Sequence, residues 1–259
     1  MNARFALCTA FLVLVGCGGG DKTPQTTGGT NTGTTPSTES AAIDPATVGT
    51  VNGTILFTGT VPAAAKINMS ADPQCAAMHG DDVFTEKAVV NDGKLQWVFV
   101  YVKDGLGNRT FPTPAEPVVM DQKGCQYTPH VLGVMVNQPL DILNSDETLH
   151  NIHAMPKNSE QFNIGMPLKN MKQTKKFNAA EVMIPVKCDV HPWMASYIGV
   201  LPHPYYAISG ADGSFSIQGL PPGTYTLEAW HEEFGTQTQQ VVVGPSETKT
   251  ADFTFQASS

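Results

Sequence analysis

Beyond residue 50 the chain is a series of short apolar runs broken by glycine, proline, asparagine and aspartate. Runs of four to eight residues rich in β-branched and aromatic side chains, bounded by turn formers, predict strands. They fall at 53–59, 88–90, 95–102, 118–120, 131–136, 140–143, 150–153, 182–186 and 196–201. A second series follows at 205–208, 214–217, 224–230, 239–243 and 250–255. Asn91-Asp92-Gly93 predicts a hairpin between the runs at 88–90 and 95–102. Ala211-Asp212-Gly213 and Leu220-Pro221-Pro222-Gly223 predict tight turns. One short helix is expected from Asp72-Pro73 to Gly80, with aspartate as N-cap, proline in the first turn and glycine as the stop.

Composition supports an all-β class. In 259 residues there are 24 glycines and 19 prolines, and 41% of the residues are apolar, enough for a core. The net charge of −8 argues against nucleic acid as a partner, because a phosphate-binding surface needs clustered Lys and Arg. Residues 18–47 are rich in Gly, Thr, Ser and Pro and almost free of large apolar groups. Such a segment cannot bury enough surface to offset its ordering entropy and is expected to be a flexible tether.

Ahead of it, Asn2-Ala3-Arg4 and the apolar stretch 5–15 make a signal peptide too short to span a bilayer. Leu14-Val15-Gly16-Cys17 resembles the lipobox of bacterial lipoproteins. That resemblance implies cleavage after residue 16 and acylation of Cys17, hence a membrane anchor. Gly18 after the cysteine resembles the signals that sort lipoproteins to the outer membrane. The alternative is an ordinary secretory signal. Export would place the remaining cysteines, Cys75, Cys125 and Cys188, in an oxidising compartment.

The sharpest chemical signal is Cys188-Asp189-Val190-His191-Pro192-Trp193-Met194. A loop of this length can gather thiolate, imidazole and thioether about one point. With an upstream histidine they would make the His₂Cys set with a weak axial Met that suits copper in electron transfer. Zinc fits less well, since methionine is not among its usual ligands. The segment 113–202 here resembles the cupredoxins, especially amicyanin-like ones, with Cys-x-x-His-x-x-Met near the domain's end and a His-Asn pair before it, in this chain His150-Asn151. The resemblance implies one type 1 copper ion held by His150, Cys188, His191 and Met194. It gives Asn151 the task of steadying the cysteine loop. It also implies that the edge of His191 reaches the surface between Pro192 and Trp193, where a redox partner would dock. Val190 and Leu149 depart from the prolines usual in that family.

Each residue has a structural alternative: His150 as a strand histidine, Met194 and Trp193 as core, Cys188 paired with Cys75 or Cys125. With Cys188 given to the metal, Cys75 and Cys125 become the candidate disulfide, against two free buried thiols. His153, three residues past His150 on a strand, should face away from the metal. His79, His130, His203 and His231 lack ligand spacing. Met155, Met166, Met171 and Met183 are core residues, or surface acceptors of Cu(I).

The final repeats, Asp212-Gly213-Ser214-Phe215-Ser216-Ile217 and Gly219-Leu220-Pro221-Pro222-Gly223-Thr224-Tyr225, resemble the transthyretin-like, carboxypeptidase regulatory-like β-sandwich. That family's opening strands look like those at 53–59 and 97–102. The expected organisation is therefore a signal peptide (1–16), a tether (17–47), a regulatory-like sandwich from 48–112 and 203–257, and a cupredoxin-like Greek-key domain (113–202) inserted in it. Two consecutive domains are the alternative. The function expected is blue-copper electron transfer in the bacterial envelope with protein redox partners, not catalysis. Copper storage or delivery, and a scaffold with a vestigial site, are the competing readings.

Overall fold

The computed structural model describes residues 43–257, so the signal peptide, Cys17 and nearly all of the tether lie outside the described residues. The tether ends earlier than expected. Residues 44–47 form a turn in which Thr47 N–H donates to the Asp44 carbonyl, and Ser246 N–H donates to Thr47 O at 2.9 Å. No helix among the described residues is long and apolar enough to cross a membrane.

The fold is all-β, with one five-residue helix, Pro73–Ala77. Four sheets make two sandwiches. In the first, Gly49–Thr58 is the organising strand. It pairs antiparallel with Ser214–Leu220 and parallel with Thr248–Thr250 and Phe253–Gln256. Its alternating burial puts Val51, Ile55 and Phe57 inward, as a strand with one face on a core must. The opposing sheet joins Tyr206–Ile208, Phe99–Asp104, Gly223–His231 and Gly235–Val243. Their common core includes Leu95, Val100, Phe215, Ile217, Tyr225, Leu227 and Phe255. This sandwich thus draws its strands from both ends of the described chain.

The second sandwich faces a five-stranded sheet, Phe162–Met166, His150–Ala154, Glu181–Lys187, Ala195–Leu201 and Val131–Met135, against a four-stranded one, Met171–Lys175, Leu140–Asn144, Val118–Gln122 and Tyr127–Thr128. Its core includes Leu132, Leu140, Ile142, Ile152, Ile184 and Ile198.

Three expectations need correction. The boundary at residue 112 assigns Ile67, Met69 and Cys75 to the regulatory-like sandwich, yet they pack in the core of the second. Residues 66–85 are a flap closed by the Lys66–Phe84 bridge, and its Ile67, Met69 and Cys75 are buried on the second sandwich. The strand expected at 95–102 breaks: the hairpin is just Val90–Asn91 with Lys94–Leu95, around Asp92 and Gly93 at φ 49° and 71°. Trp97 then takes φ 65°, and the chain crosses to the opposing sheet. The pairing strands Phe162–Met166 and Met171–Lys175 were not expected, although Phe162, Ile164 and Met166 alternate with Asn163 and Gly165 in the first. Each is the edge of its sheet, so polar and charged residues such as Lys172 and Lys175 are tolerated there.

The two sandwiches meet over a glycine pair. Gly133 and Gly199 face each other on parallel strands. A Cβ on Gly133 would lie 2.1 Å from the Tyr206 ring, and one on Gly199 2.4 Å from the Phe99 ring. The bare backbone lets these two stacked rings (5.4 Å between centroids) lie flat on the sheet.

Candidate metal centre

The site sits at one end of the second sandwich, where three segments converge. Glu181–Lys187 pairs with His150–Ala154 on one side and Ala195–Leu201 on the other. The loop 188–194 between two adjacent antiparallel strands therefore folds back over the start of the His150 strand. Inside the loop, Met194 N–H donates to His191 O (2.9 Å) and Cys188 N–H to Met194 O (3.3 Å). The His191 N–H points at the Cys188 sulfur, 3.3 Å away.

Asn151 ties loop to strand. Its Oδ1 accepts from Asp189 N–H (2.7 Å), Val190 N–H (3.3 Å) and the Cys188 thiol (3.2 Å). Its own amide donates to Asn163 Oδ1 at 2.6 Å.

These constraints bring His150, Cys188 and His191 together, with one ligand atom from each within 4.8 Å of the others. The two Nδ1 atoms are 3.0 Å apart, and Cys188 Sγ is 3.9 Å from His191 Nδ1. Two imidazole nitrogens sharing one transition ion at roughly 2 Å each would stand at about that separation. All three residues are buried, at 0–2% exposure. Met194 is buried in the same core, with its backbone tied to Cys188. Soft sulfur and borderline nitrogen in a dry enclosure fit a copper-type ion.

The electrostatics of the site make the Cys188 thiol more acidic. Burial raises the Cys188 pKa, but the His150 hydrogen bond and the surrounding donors outweigh it, and the net shift is downward. Burial likewise pulls His150 down, while the Asp146 carboxylate and Cys188 push it further up, to about 9. In Asp146 the hydrogen bonds from His150, Cys125 N–H and Gly124 N–H overcome a burial that alone would raise it.

Two functional carboxylates escaped sequence reasoning. Asp146 Oδ2 receives the outer nitrogen of His150 at 2.8 Å. Asp72 Oδ2 receives that of His191 at 2.8 Å. Asp72 was legible only as a helix N-cap, which it also is: its Oδ1 accepts from Gln74 and Cys75 N–H. Nothing in a single sequence links it to a histidine 119 positions away. Asp146 had one local signal, its position four residues before His150.

Cys75 and Cys125 are bonded to each other. This disulfide roofs the site, with Cys75 Sγ 3.5 Å from His191 Nε2. The expectation of a surface-reaching His191 edge is therefore overturned. His191 is 1% exposed because the flap carrying Asp72 and Cys75 covers it. Pro192 is exposed, and Trp193 is half-buried with its indole N–H donating to Cys125 O at 3.0 Å.

Other candidates lie apart. His153 stays out of the cluster and pairs with Asp189 at 3.0 Å. His79 donates to Gly124 O, His130 pairs with Glu232, and His203 and His231 are buried in or against the first sandwich. Met166 and Met183 are buried, and Met155 and Met171 are half-buried.

Comparison with the curated proteins finds no significant match. Among solved structures, the chain is similar to a purple cupredoxin from Nitrosopumilus maritimus, at 21% identity and TM-score 0.28, over 32% of this chain and 98% of that one. It is similar to a reduced amicyanin variant at 19% identity and TM-score 0.30, over 39% of this chain and 97% of that one. It is also similar to a copper-containing nitrite reductase from Thermus scotoductus, at 16% identity and TM-score 0.32, over 58% of this chain and only 28% of that one. Residues 200–256, the closing strands of the first sandwich, match the carboxypeptidase regulatory-like domain family.

Proposed function

We propose that this chain is an envelope electron-transfer protein in which His150, Cys188, His191 and Met194 hold one type 1 copper ion. The observation that carries the reading is the convergence of one acidified thiol and two facing Nδ1 atoms in a buried enclosure. A bound copper ion would supply reversible one-electron exchange. The protein's own part is to hold its ligands still. Cys188 and His191 share a loop closed by its own backbone hydrogen bonds, and Asn151 clamps that loop to the strand bearing His150. Ligands that move little between oxidation states would keep the reorganisation small, and burial of all four proposed ligands supports a carrier over a catalyst.

Burial also favours a carrier over a storage or delivery protein, whose ion must leave readily: every proposed ligand is at most 2% exposed. We place the protein at a bacterial membrane through acylated Cys17, with the outer membrane as its site and envelope redox proteins as its partners. Docking would fall beside the flap, where Leu149 (43% exposed), Val190 (44%) and Pro192 surround the covered His191.

The test is a visible and electron paramagnetic resonance spectrum of the copper-loaded body. An intense thiolate-to-metal band should appear with one copper per chain and vanish in Cys188→Ser, with the fold retained. A band that survives the substitution would refute the ligand set.

A further inference from the structure

The two carboxylates on the outer nitrogens form a matched pair from unrelated parts of the chain. Asp146 lies just past the strand Leu140–Asn144 and is 5% exposed. Besides His150, its oxygens accept from Gly124 N–H (Oδ1, 2.8 Å) and Cys125 N–H (Oδ2, 2.8 Å), and its own N–H donates to Asn144 Oδ1. Asp72 is gripped by Gln74 and Cys75 N–H on Oδ1 and by the Thr148 hydroxyl on Oδ2 (3.2 Å). Neither carboxylate can turn away from its imidazole without breaking several hydrogen bonds. The donors to Asp146 include Cys125 and those to Asp72 include Cys75, so the disulfide joins the two holders into one brace.

We propose that Asp72 and Asp146 are positioning residues of the metal centre: each accepts the outer N–H of one histidine, fixing the ring so that its Nδ1 lone pair faces the ion. This rests on the ligand reading above and assigns it two further residues. A carboxylate-bound Nε2–H excludes the other tautomer, because turning the ring would exchange a charge-assisted hydrogen bond for an unmet acceptor. Two anions one imidazole away also favour the more highly charged state of the ion, and so hold the reduction potential down.

Asp72→Asn is the decisive variant, because asparagine is as good an N-cap as aspartate and leaves the helix intact. Asp72→Ser, which also caps but carries no carboxylate, guards against an amide that mimics the contact. In the zinc-loaded protein, nitrogen-15 NMR should show two slowly exchanging imidazole Nε2–H signals. Asp72→Asn and Asp72→Ser should shift or lose the His191 signal alone, and Asp146→Asn the His150 signal. Metal affinity, by competition with a chelator, should fall roughly 10- to 100-fold. The potential of the copper form should rise. Unchanged Nε2–H signals, or an unchanged or lowered potential in a folded Asp72→Asn, would overturn the proposal. A wild type that binds copper without the charge-transfer band would sink the carrier reading, yet the zinc-loaded spectra would still decide the positioning roles.

Discussion

Removing the Cys75–Cys125 bridge tests how the flap is held. The bond closes a loop whose ends are 50 residues apart. Taking the chain-entropy relation for that loop, the cross-link removes about 14 cal/mol/K from the unfolded ensemble, or about 4 kcal/mol at 25 °C. Domains of this size unfold with about 5–15 kcal/mol, so the loss is a large share of the total. Both sulfurs are fully buried, so the Cys75→Ala/Cys125→Ala chain also leaves an unfilled gap, and its loss should exceed that of simple reduction. The assay is urea unfolding of the metal-free protein, oxidised, reduced and doubly substituted, followed by tryptophan fluorescence. Trp193 serves as the local reporter, because its indole N–H is bonded to Cys125 O. The expected result is a drop of about 4 kcal/mol on reduction, with earlier solvent exposure of Trp193. A drop under about 1 kcal/mol would refute the reasoning: it would mean that the packing of the flap's own Ile67 and Met69 in the core of the second sandwich, not the cross-link, holds it in place.

Three further outcomes follow from other parts of the molecule. Asn151→Ala strips the acceptor from Asp189 and Val190 N–H, so it should cost about 3 kcal/mol and speed metal loss in a chelator assay. Gly199→Ala drives a methyl into the Phe99 ring, which is pinned against Tyr206, and should lower stability by about 1–3 kcal/mol in thermal unfolding; no change would mean that Phe99 can swing clear. Burial of His231 against Phe234 and Phe255 pushes its pKa down to about 4; nearby Glu232 opposes this and His130 assists it. The unfolded chain then binds a proton below about pH 6.5 that the fold refuses, so stability falls by up to about 3 kcal/mol between pH 6.5 and 4. His231→Asn keeps an acceptor for Glu233 N–H without the titrating ring, and its stability relative to wild type should improve steadily as pH falls through that window.

What the sequence disclosed and what it withheld divide along one physical line. Gly49–Thr58 announces itself because burial on one side imposes a period of two, and Ala195–Leu201 because burial on both faces makes a continuous apolar run. The edge strand Met171–Lys175 does not, since only Met171 of its five residues is apolar, whereas Phe162–Met166 does carry the alternation, in Phe162, Ile164 and Met166, and was missed. The same holds at the metal centre. Cys188, His191 and Met194 are readable because their geometry comes from one short loop, and spacing within a loop is a property of sequence. His150 and Asn151 needed a family resemblance, because their register against Cys188 is set by strand pairing.

Of the brace, the disulfide was legible by elimination once Cys188 was given to the metal. The contact of Asp72 lies on the unreadable side, since it joins residues that only the tertiary fold brings together. An aspartate before a proline explains itself fully as a helix cap, and local sufficiency hid its second contact. Yet that second contact changes the character of the centre. A histidine edge open to solvent would let a partner approach the ligand directly. A histidine covered by a carboxylate and a disulfide requires an electron to cross the flap or its rim instead. Exposed Leu149 and Val190 each neighbour a ligand in sequence, and Thr148 next to Leu149 is bonded to Asp72. If the protein is the carrier proposed above, a redox partner would meet this rim, which also carries Glu147 and Asp189, and its affinity should respond to changes at Leu149 and Val190 more than to changes at the regulatory-like sandwich.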